Sequence, residues 1–96
     1  MLKCKALSKG EGLELTGTLD ESSAPQLEKM MVVYTAGAIK VDFGGIQELT
    51  EGGLRPIILA AKRLKKSGGT LTLVNLKAEF KEMLVKEGYS LMFTVQ

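Results

Sequence analysis

Apolar and polar residues follow two periods along this chain, and the order of those periods predicts its elements. Alternation with a period of two, or a short apolar or β-branched run, indicates a strand. Five such strands are expected, at Leu2–Leu7, Leu13–Leu19, Ala38–Phe43, Thr70–Asn75 and Tyr89–Val95. Apolar residues spaced three and four apart indicate helices. Three are expected, from the turn at Asp20 to near Gly37, from about Gly53 to Lys66, and over Lys77–Glu87.

The resulting order, β-β-α-β-α-β-α-β, predicts the fold class. The first two strands are separated by a short polar turn, Ser8–Gly12, and are expected to form a hairpin. Each of the three strand–helix–strand units that follow favours a right-handed crossover between parallel strands. We therefore expect one α/β domain over residues 1–96. It has a mixed, mostly parallel sheet of about five strands, with three helices mainly on one side.

The start of the first helix carries capping signals. Ser23 is suited to the N-cap position, Gln26 would complete a capping box with it, and Pro25 lies in the first turn, where its missing N–H is tolerated. The apolar stripe of this helix consists of Leu27, Met30, Met31 and Tyr34, and its spacing favours Met30 over Met31 as the methionine that faces the core.

Paired glycines mark the approach to the second helix. Gly44 and Gly45 are expected to end the third strand, so that residues 44–53 form a loop. Gly52 and Gly53 favour a tight turn with positive φ, although bare backbone that lets a partner approach closely is also open. Since no Lys-Ser/Thr follows the glycines, a P-loop is excluded.

Composition argues against an enzyme. The 96 residues are 45% hydrophobic and 25% charged with a net charge of +2, typical of a globular domain and weak as an argument for nucleic acid. The chain has no histidine, the commonest general base and metal ligand, and a single cysteine, Cys4. A single cysteine excludes an intrachain disulfide and a cysteine-rich zinc site, and it favours a reducing compartment. No apolar run is long enough for a membrane helix, and the first ten residues lack a secretion signal. We therefore expect a cytoplasmic protein without cofactor or metal.

Several segments, in this order, resemble STAS domains, the fold shared by sulfate transporters and anti-sigma factor antagonists. The segments that carry the resemblance are Gly17–Asp20 with Ala24, Val41–Ile46, Gly53-Leu54, Ser67–Asn75 and Leu84–Gly88. The resemblance covers nearly the whole chain. It implies a small regulator that binds a kinase-type anti-sigma factor, thereby frees a sigma factor, and is switched off by serine phosphorylation.

The tetrapeptide that carries the phosphorylated residue in this family departs from the family pattern here. The family has Asp-Ser-Ser-Gly or Asp-Ser-Thr-Gly before the second helix, and this chain has Thr50-Glu51-Gly52-Gly53. The resemblance therefore puts Gly52 at the position of the usual acceptor and leaves Thr50 as the remaining hydroxyl. Thr50 could accept a phosphate or cap the helix. Glu51 could mimic a phosphorylated state or simply stabilise the helix start as a first-turn acid.

The resemblance also implies where a partner would bind. The expected surface combines the turn after the second strand with the start of the second helix: Asp20, Glu21, Ser22, Ser23, Thr50, Glu51, Gly52, Gly53 and Arg55. For Asp20, a local role in the turn is equally open.

Three alternatives accompany this prediction. A STAS subunit of a transport complex would grip an ATPase subunit with the same surface, and a nucleotide-binding STAS domain is disfavoured by the missing phosphate-binding lysine motif. The basic turn Lys62–Lys66 could bind acidic lipid or nucleic acid, but a solvated helix end matched to the helix dipole is the expectation. We expect no catalysis, no nucleic acid partner and no direct membrane insertion. The oligomeric state is left open.

Overall fold

The computed structural model describes residues 1–7, 12–89 and 92–96 and contains the predicted elements in the predicted order. The strands are β1 (Leu2–Ala6), β2 (Gly12–Leu19), β3 (Ala38–Leu49), β4 (Thr70–Val74) and β5 (Thr94–Val95), and the helices are α1 (Ala24–Met31), α2 (Glu51–Lys66) and α3 (Ala78–Lys86). The α/β class and the five-stranded mixed sheet are confirmed.

The sheet has the strand order β1-β2-β3-β4-β5. β1 pairs antiparallel with β2, and the remaining neighbours are parallel. Along β3, buried Ile39, Val41 and Phe43 alternate with exposed or half-buried residues. One face of the sheet is therefore covered by the helices, and the other is open and polar. The parallel strands all end at the same edge of the sheet, the carboxyl end, where α1 and α2 begin. The opposite edge is the amino end.

The core lies between the sheet and the helices. Leu27 of α1, Leu54 and Ile57 of α2, and Phe80 and Leu84 of α3 are buried against the strands. The prediction for α1 was wrong in one detail, because Met31 is 1% exposed and Met30 is 40% exposed. Adjacent helical positions lie about 100° apart, so the packing of α1 against α2 selects which methionine turns inward.

The third strand is longer than predicted. Gly44 and Gly45 do not end it, since β3 continues to Leu49 and α2 begins two residues later. Gly45 pairs with Thr16 of β2 next to a register shift, and a Cβ at Gly45 would run into the Thr16 side chain. Glycine here accommodates a close approach between two strands. The predicted loop over 44–53 is thus mostly strand and helix, with Thr50 alone between them.

Two further predictions fall partly on residues that the structure does not describe. The hairpin turn at residues 8–11 lies outside the described residues, as do residues 90–91 of the expected last strand. The strand there is Thr94–Val95, and Tyr89 and Met92 are not part of it. Within the described part of the chain, no helix is long and apolar enough to span a membrane.

Candidate functional site

The ends of β2 and β3 are held together at the carboxyl end of the sheet. The Thr50 N–H donates to the Leu19 carbonyl at 3.0 Å, directly where both strands finish. The turn that follows β2 and the first turn of α2 are consequently neighbours. The structure therefore brings together the two segments that the sequence assigned to a partner surface.

The turn after β2 is organised by one carboxylate. Oδ1 of Asp20 accepts hydrogen bonds from the Ser22 N–H at 3.0 Å, the Ser22 hydroxyl at 2.7 Å and the Ser23 N–H at 3.1 Å. These bonds favour the ionised carboxylate, so they hold the pKa of Asp20 below its usual value, with the Ser22 hydroxyl contributing most. The local turn role that was open for Asp20 is therefore present in the structure.

The predicted capping box at α1 was wrong. Ser23 occupies the N-cap position but its side chain makes no capping hydrogen bond. Its hydroxyl is buried and instead donates to the Thr18 carbonyl at 2.9 Å, while the Gln26 amide donates to the Leu2 carbonyl at 2.9 Å. Both side chains thus fasten the helix start to the sheet. Ser23 is buried beneath the turn and stabilises it through the bond to Thr18, whereas Glu21 and Ser22 are exposed on its surface.

Thr50 is the N-cap of α2, which was one of the two roles expected for it. Its backbone is extended and its hydroxyl accepts the Gly53 N–H at 3.2 Å. The same hydroxyl donates to Oε1 of Glu21 at 3.0 Å. Through this bond the turn and the helix start share one polar surface, a connection between residues 29 positions apart that the sequence analysis missed.

The paired glycines serve close contacts, and the expected turn with positive φ is absent. Gly52 and Gly53 lie in the first turn of α2, and neither has a positive φ. A Cβ at Gly53 would collide with the Leu19 carbonyl, which is backbone and cannot move aside. A Cβ at Gly52 would meet the Glu21 side chain, 2.6 Å from Oε2. The Glu21 carboxylate therefore covers the position where a side chain at residue 52 would project.

A shallow groove of about 490 Å³ extends this surface along α2. Glu21, Glu51 and Arg55 line one end of it. The rest is lined by residues absent from the predicted site, which are Ile58, Leu59, Lys62 and Tyr89. Leu59 could have been found from the sequence, because it is a leucine outside the apolar stripe of α2 and is exposed. Tyr89 offered no such signal, since only the packing of α3 brings it beside α2.

Three hydroxyls and three charged side chains make up most of the polar part of this surface. Its hydroxyls at Ser22, Ser23 and Thr50 are bound to neighbouring oxygens or N–H groups, and its exposed charges are Glu21, Glu51 and Arg55. Among the residues that the structure describes, no group of three or more potential ligands could hold a metal ion. The surface offers two carboxylates and a guanidinium beside an apolar groove, a combination that suits a protein partner.

Comparison with known proteins agrees with this architecture. The model of the family described as "Mlab, STAS domain" matches residues 5–90. The chain therefore belongs to the STAS domain family, as its sequence motifs indicated.

One relative and two solved structures are similar to this chain. BtrV of Bordetella bronchiseptica, a provisionally assigned anti-sigma factor antagonist, is 29% identical over 84 residues, covering 84% of this chain and 72% of BtrV. An anti-sigma factor antagonist from Mycobacterium paratuberculosis superimposes with a TM-score of 0.83 at 18% identity, covering 99% of this chain and 85% of that one. The anti-sigma factor antagonist SpoIIAA, in its unphosphorylated form, gives a TM-score of 0.72 at 12% identity, covering 100% and 87%. These two structures share the fold.

Proposed function

We propose that this chain is an anti-sigma factor antagonist, a non-enzymatic regulator that binds a kinase-type anti-sigma factor at the carboxyl end of its sheet. The observation that carries the proposal is the hydrogen bond between Thr50 and Glu21, which joins the β2–α1 turn and the start of α2 into one surface. Family membership and the description of the relative BtrV support it. Glu21, Ser22, Glu51 and Arg55 contact the partner, while Asp20, Ser23, Thr50, Gly52 and Gly53 shape the surface that presents them.

In our proposal, partner binding at this surface is not regulated by phosphorylation of a serine at residue 52. Gly52 has no hydroxyl, and the Glu21 carboxylate already covers the space above it. The carboxylates of Glu21 and Glu51 together place permanent negative charge at the start of α2, where the helix dipole favours anions. We propose that this fixed charge keeps partner binding in one setting, without a phosphate at residue 52.

Phosphorylation of Thr50 stays a prediction, and the contacts of Thr50 define its consequences. A phosphate on this hydroxyl would replace the proton donated to Glu21 and would place about two negative charges beside that carboxylate. It would also compete with the cap that the hydroxyl provides to the Gly53 N–H. A modified Thr50 would therefore loosen the joint between the turn and α2 and weaken partner binding.

Co-purification from the native host tests the proposal. The tagged wild type and the Arg55→Glu variant are purified in parallel, and the bound proteins and the state of Thr50 are read by mass spectrometry. Arg55 is exposed on the proposed surface, whereas Lys81, exposed on α3, supplies a matched charge reversal as control. We expect an anti-sigma factor with the wild type and with Lys81→Glu, and its loss with Arg55→Glu.

Other outcomes would contradict the proposal in defined ways. An ABC-type ATPase or permease in place of the anti-sigma factor would assign the chain to a transport complex that uses the same surface. An anti-sigma factor retained equally by Arg55→Glu and the wild type would move the interface away from the carboxyl end. Stabilisation by nucleotides in a thermal-shift screen would favour the nucleotide-binding alternative.

A further inference from the structure

The segment that follows α1 exposes an apolar run at the amino end of the sheet. Met30, Val32 and Val33 are 40%, 52% and 72% exposed, although all three are hydrophobic and nearly consecutive. Single exposed hydrophobic residues are ordinary, but a contiguous group marks a surface that is covered by something else. We name these three residues the amino-end ledge.

The last turn of α2 is bonded to the segment that carries this ledge and brings basic side chains with it. A terminal nitrogen of Arg63, Nη2, donates to the Met31 carbonyl at 2.8 Å. One helical turn later, the Ser67 hydroxyl donates to the Thr35 carbonyl at 2.6 Å. Exposed Lys66 precedes Ser67, and exposed Lys29 stands one residue before the ledge on α1. Cations therefore flank the apolar run on both helices.

Charge is distributed unevenly between the two ends of the molecule. Residues 29–38 and 63–70 together contain four basic residues and no acidic one, which are Lys29, Arg63, Lys65 and Lys66. The carboxyl end, by contrast, carries the acidic residues Asp20, Glu21 and Glu51 beside the basic Arg55 and Lys62. The net charge of +2 conceals this polarity, because acidic and basic residues nearly balance over the whole chain.

We propose that the amino-end ledge and its basic frame bind reversibly to an anionic lipid surface. Apolar side chains at the level of the headgroups, surrounded by lysine and arginine, are the features of proteins that rest on a membrane interface. The exposure of the ledge side chains suits a bilayer, which accepts protruding groups without a matching pocket. The long lysine side chains can extend toward lipid phosphates while their methylene groups lie along the apolar surface.

This orientation leaves the proposed partner surface free. The ledge is at the amino end of the strands, and the surface around Glu21 and Arg55 is at the carboxyl end. A molecule resting on its ledge would direct that surface away from the bilayer. The lipid proposal does not rest on the proposed function, because it concerns other residues and is tested without a protein partner.

Sedimentation with lipid vesicles tests the proposal on the purified wild-type chain. Vesicles of phosphatidylcholine alone are compared with vesicles that also contain phosphatidylglycerol, at low and at physiological salt. The Val32→Ser/Val33→Ser variant removes two of the three apolar side chains of the ledge. Val85→Ser is the matched control, since Val85 is 66% exposed but lies on α3. Lys66→Gln removes one framing cation, with Lys81→Gln on α3 as its control.

We expect binding only to the anionic vesicles, weakened by salt because the charge attraction is screened. Lys66→Gln should lower the partition coefficient about fivefold, the size expected for one basic residue near an anionic surface. The valine double variant should lower it by a similar factor or more, and both α3 controls should match the wild type. Circular dichroism confirms that each exposed substitution leaves the fold intact.

Three results would overturn the proposal. The first is the absence of sedimentation with anionic vesicles, and the second is equal sedimentation with neutral ones. The third is a partition coefficient that the valine variant leaves unchanged or that Val85→Ser reduces as strongly. Concentration-dependent dimerisation that the valine variant abolishes, without lipid binding, would show that a second copy of the chain covers the ledge instead.

Discussion

The Thr50 hydroxyl donates a hydrogen bond to Oε1 of Glu21 at 3.0 Å while it accepts the Gly53 N–H at 3.2 Å. The Thr50 side chain thus caps α2 directly after the end of β3 and is also bonded to the turn that follows β2. Because the Thr50 N–H is also bonded to the Leu19 carbonyl, the backbone and the side chain of Thr50 fix the same two segments. The shape of the candidate partner surface therefore depends on Thr50 as well as on the Asp20 carboxylate.

Replacing Thr50 by valine should destabilise the chain by about 1 kcal/mol, the usual cost of losing a helix N-cap. Valine keeps the shape of threonine but can neither accept the Gly53 N–H nor donate to Glu21. Thr50→Ser keeps both functions and should stay close to the wild type. Urea denaturation followed by circular dichroism measures the difference. A loss in the serine variant with none in the valine variant would mean that the methyl group, and not the hydroxyl, matters at this position.

The two glycines of the first helical turn should respond differently to alanine. Gly53→Ala places a methyl group against the Leu19 carbonyl, and overpacking of this kind costs about 1–3 kcal/mol. At Gly52 the methyl group meets the end of a flexible side chain, so Gly52→Ala should change the free energy of unfolding by less than about 1 kcal/mol.

Removing the Glu21 side chain supplies the control for the glycine pair. In a Glu21→Ala background, Gly52→Ala should become stabilising by about 0.5 kcal/mol, since alanine favours the helix and no longer collides. The effect of Gly53→Ala should be unchanged in that background, because its obstacle is backbone. If Glu21→Ala relieved both substitutions equally, the contact assigned to the Leu19 carbonyl would be wrong.

The elements that the sequence predicts well are those fixed by local pattern. Alternating residues in β2 and the three-and-four spacing in α2 are periodic over enough residues to identify strand and helix. The length of β3 could not be found in this way. Gly44 and Gly45 are strand breakers by composition, and only the neighbouring β2, with Thr16 against Gly45, makes glycine the residue that fits.

The candidate site was predictable by position but not by its contacts. The sequence motifs placed Asp20–Ser23 and Thr50–Arg55 together through the family resemblance. Nothing local indicated that Glu21 would bond Thr50 and cover Gly52, since the pairing depends on how the ends of β2 and β3 meet. At Ser23 the local pattern was misleading. It predicted a helix cap, but the Ser23 hydroxyl donates to the Thr18 carbonyl instead.

Acid should remove the contribution of Asp20 to stability. Hydrogen bonds from the Ser22 and Ser23 groups lower its pKa in the folded chain, so the folded state favours the carboxylate. The contribution is present above the unfolded value of about 3.9 and is lost as the pH falls through the lower folded value. The difference in unfolding free energy between wild type and Asp20→Asn should therefore be constant above about pH 5 and shrink below it. A difference that stayed constant to the lowest pH at which both fold would contradict the lowered pKa.

Glu51→Ser should change partner affinity more than stability. Glu51 is exposed in the first turn of α2, where a carboxylate stabilises the helix by no more than about 1 kcal/mol. Its charge also forms part of the proposed surface, so its removal should alter the dissociation constant for the anti-sigma factor. Titration calorimetry measures the affinity and urea denaturation the stability. Glu14→Ser, on the open face of the sheet, is the binding control and should match the wild type in affinity. A stability loss above about 1.5 kcal/mol with unchanged affinity would show that Glu51 serves the helix alone.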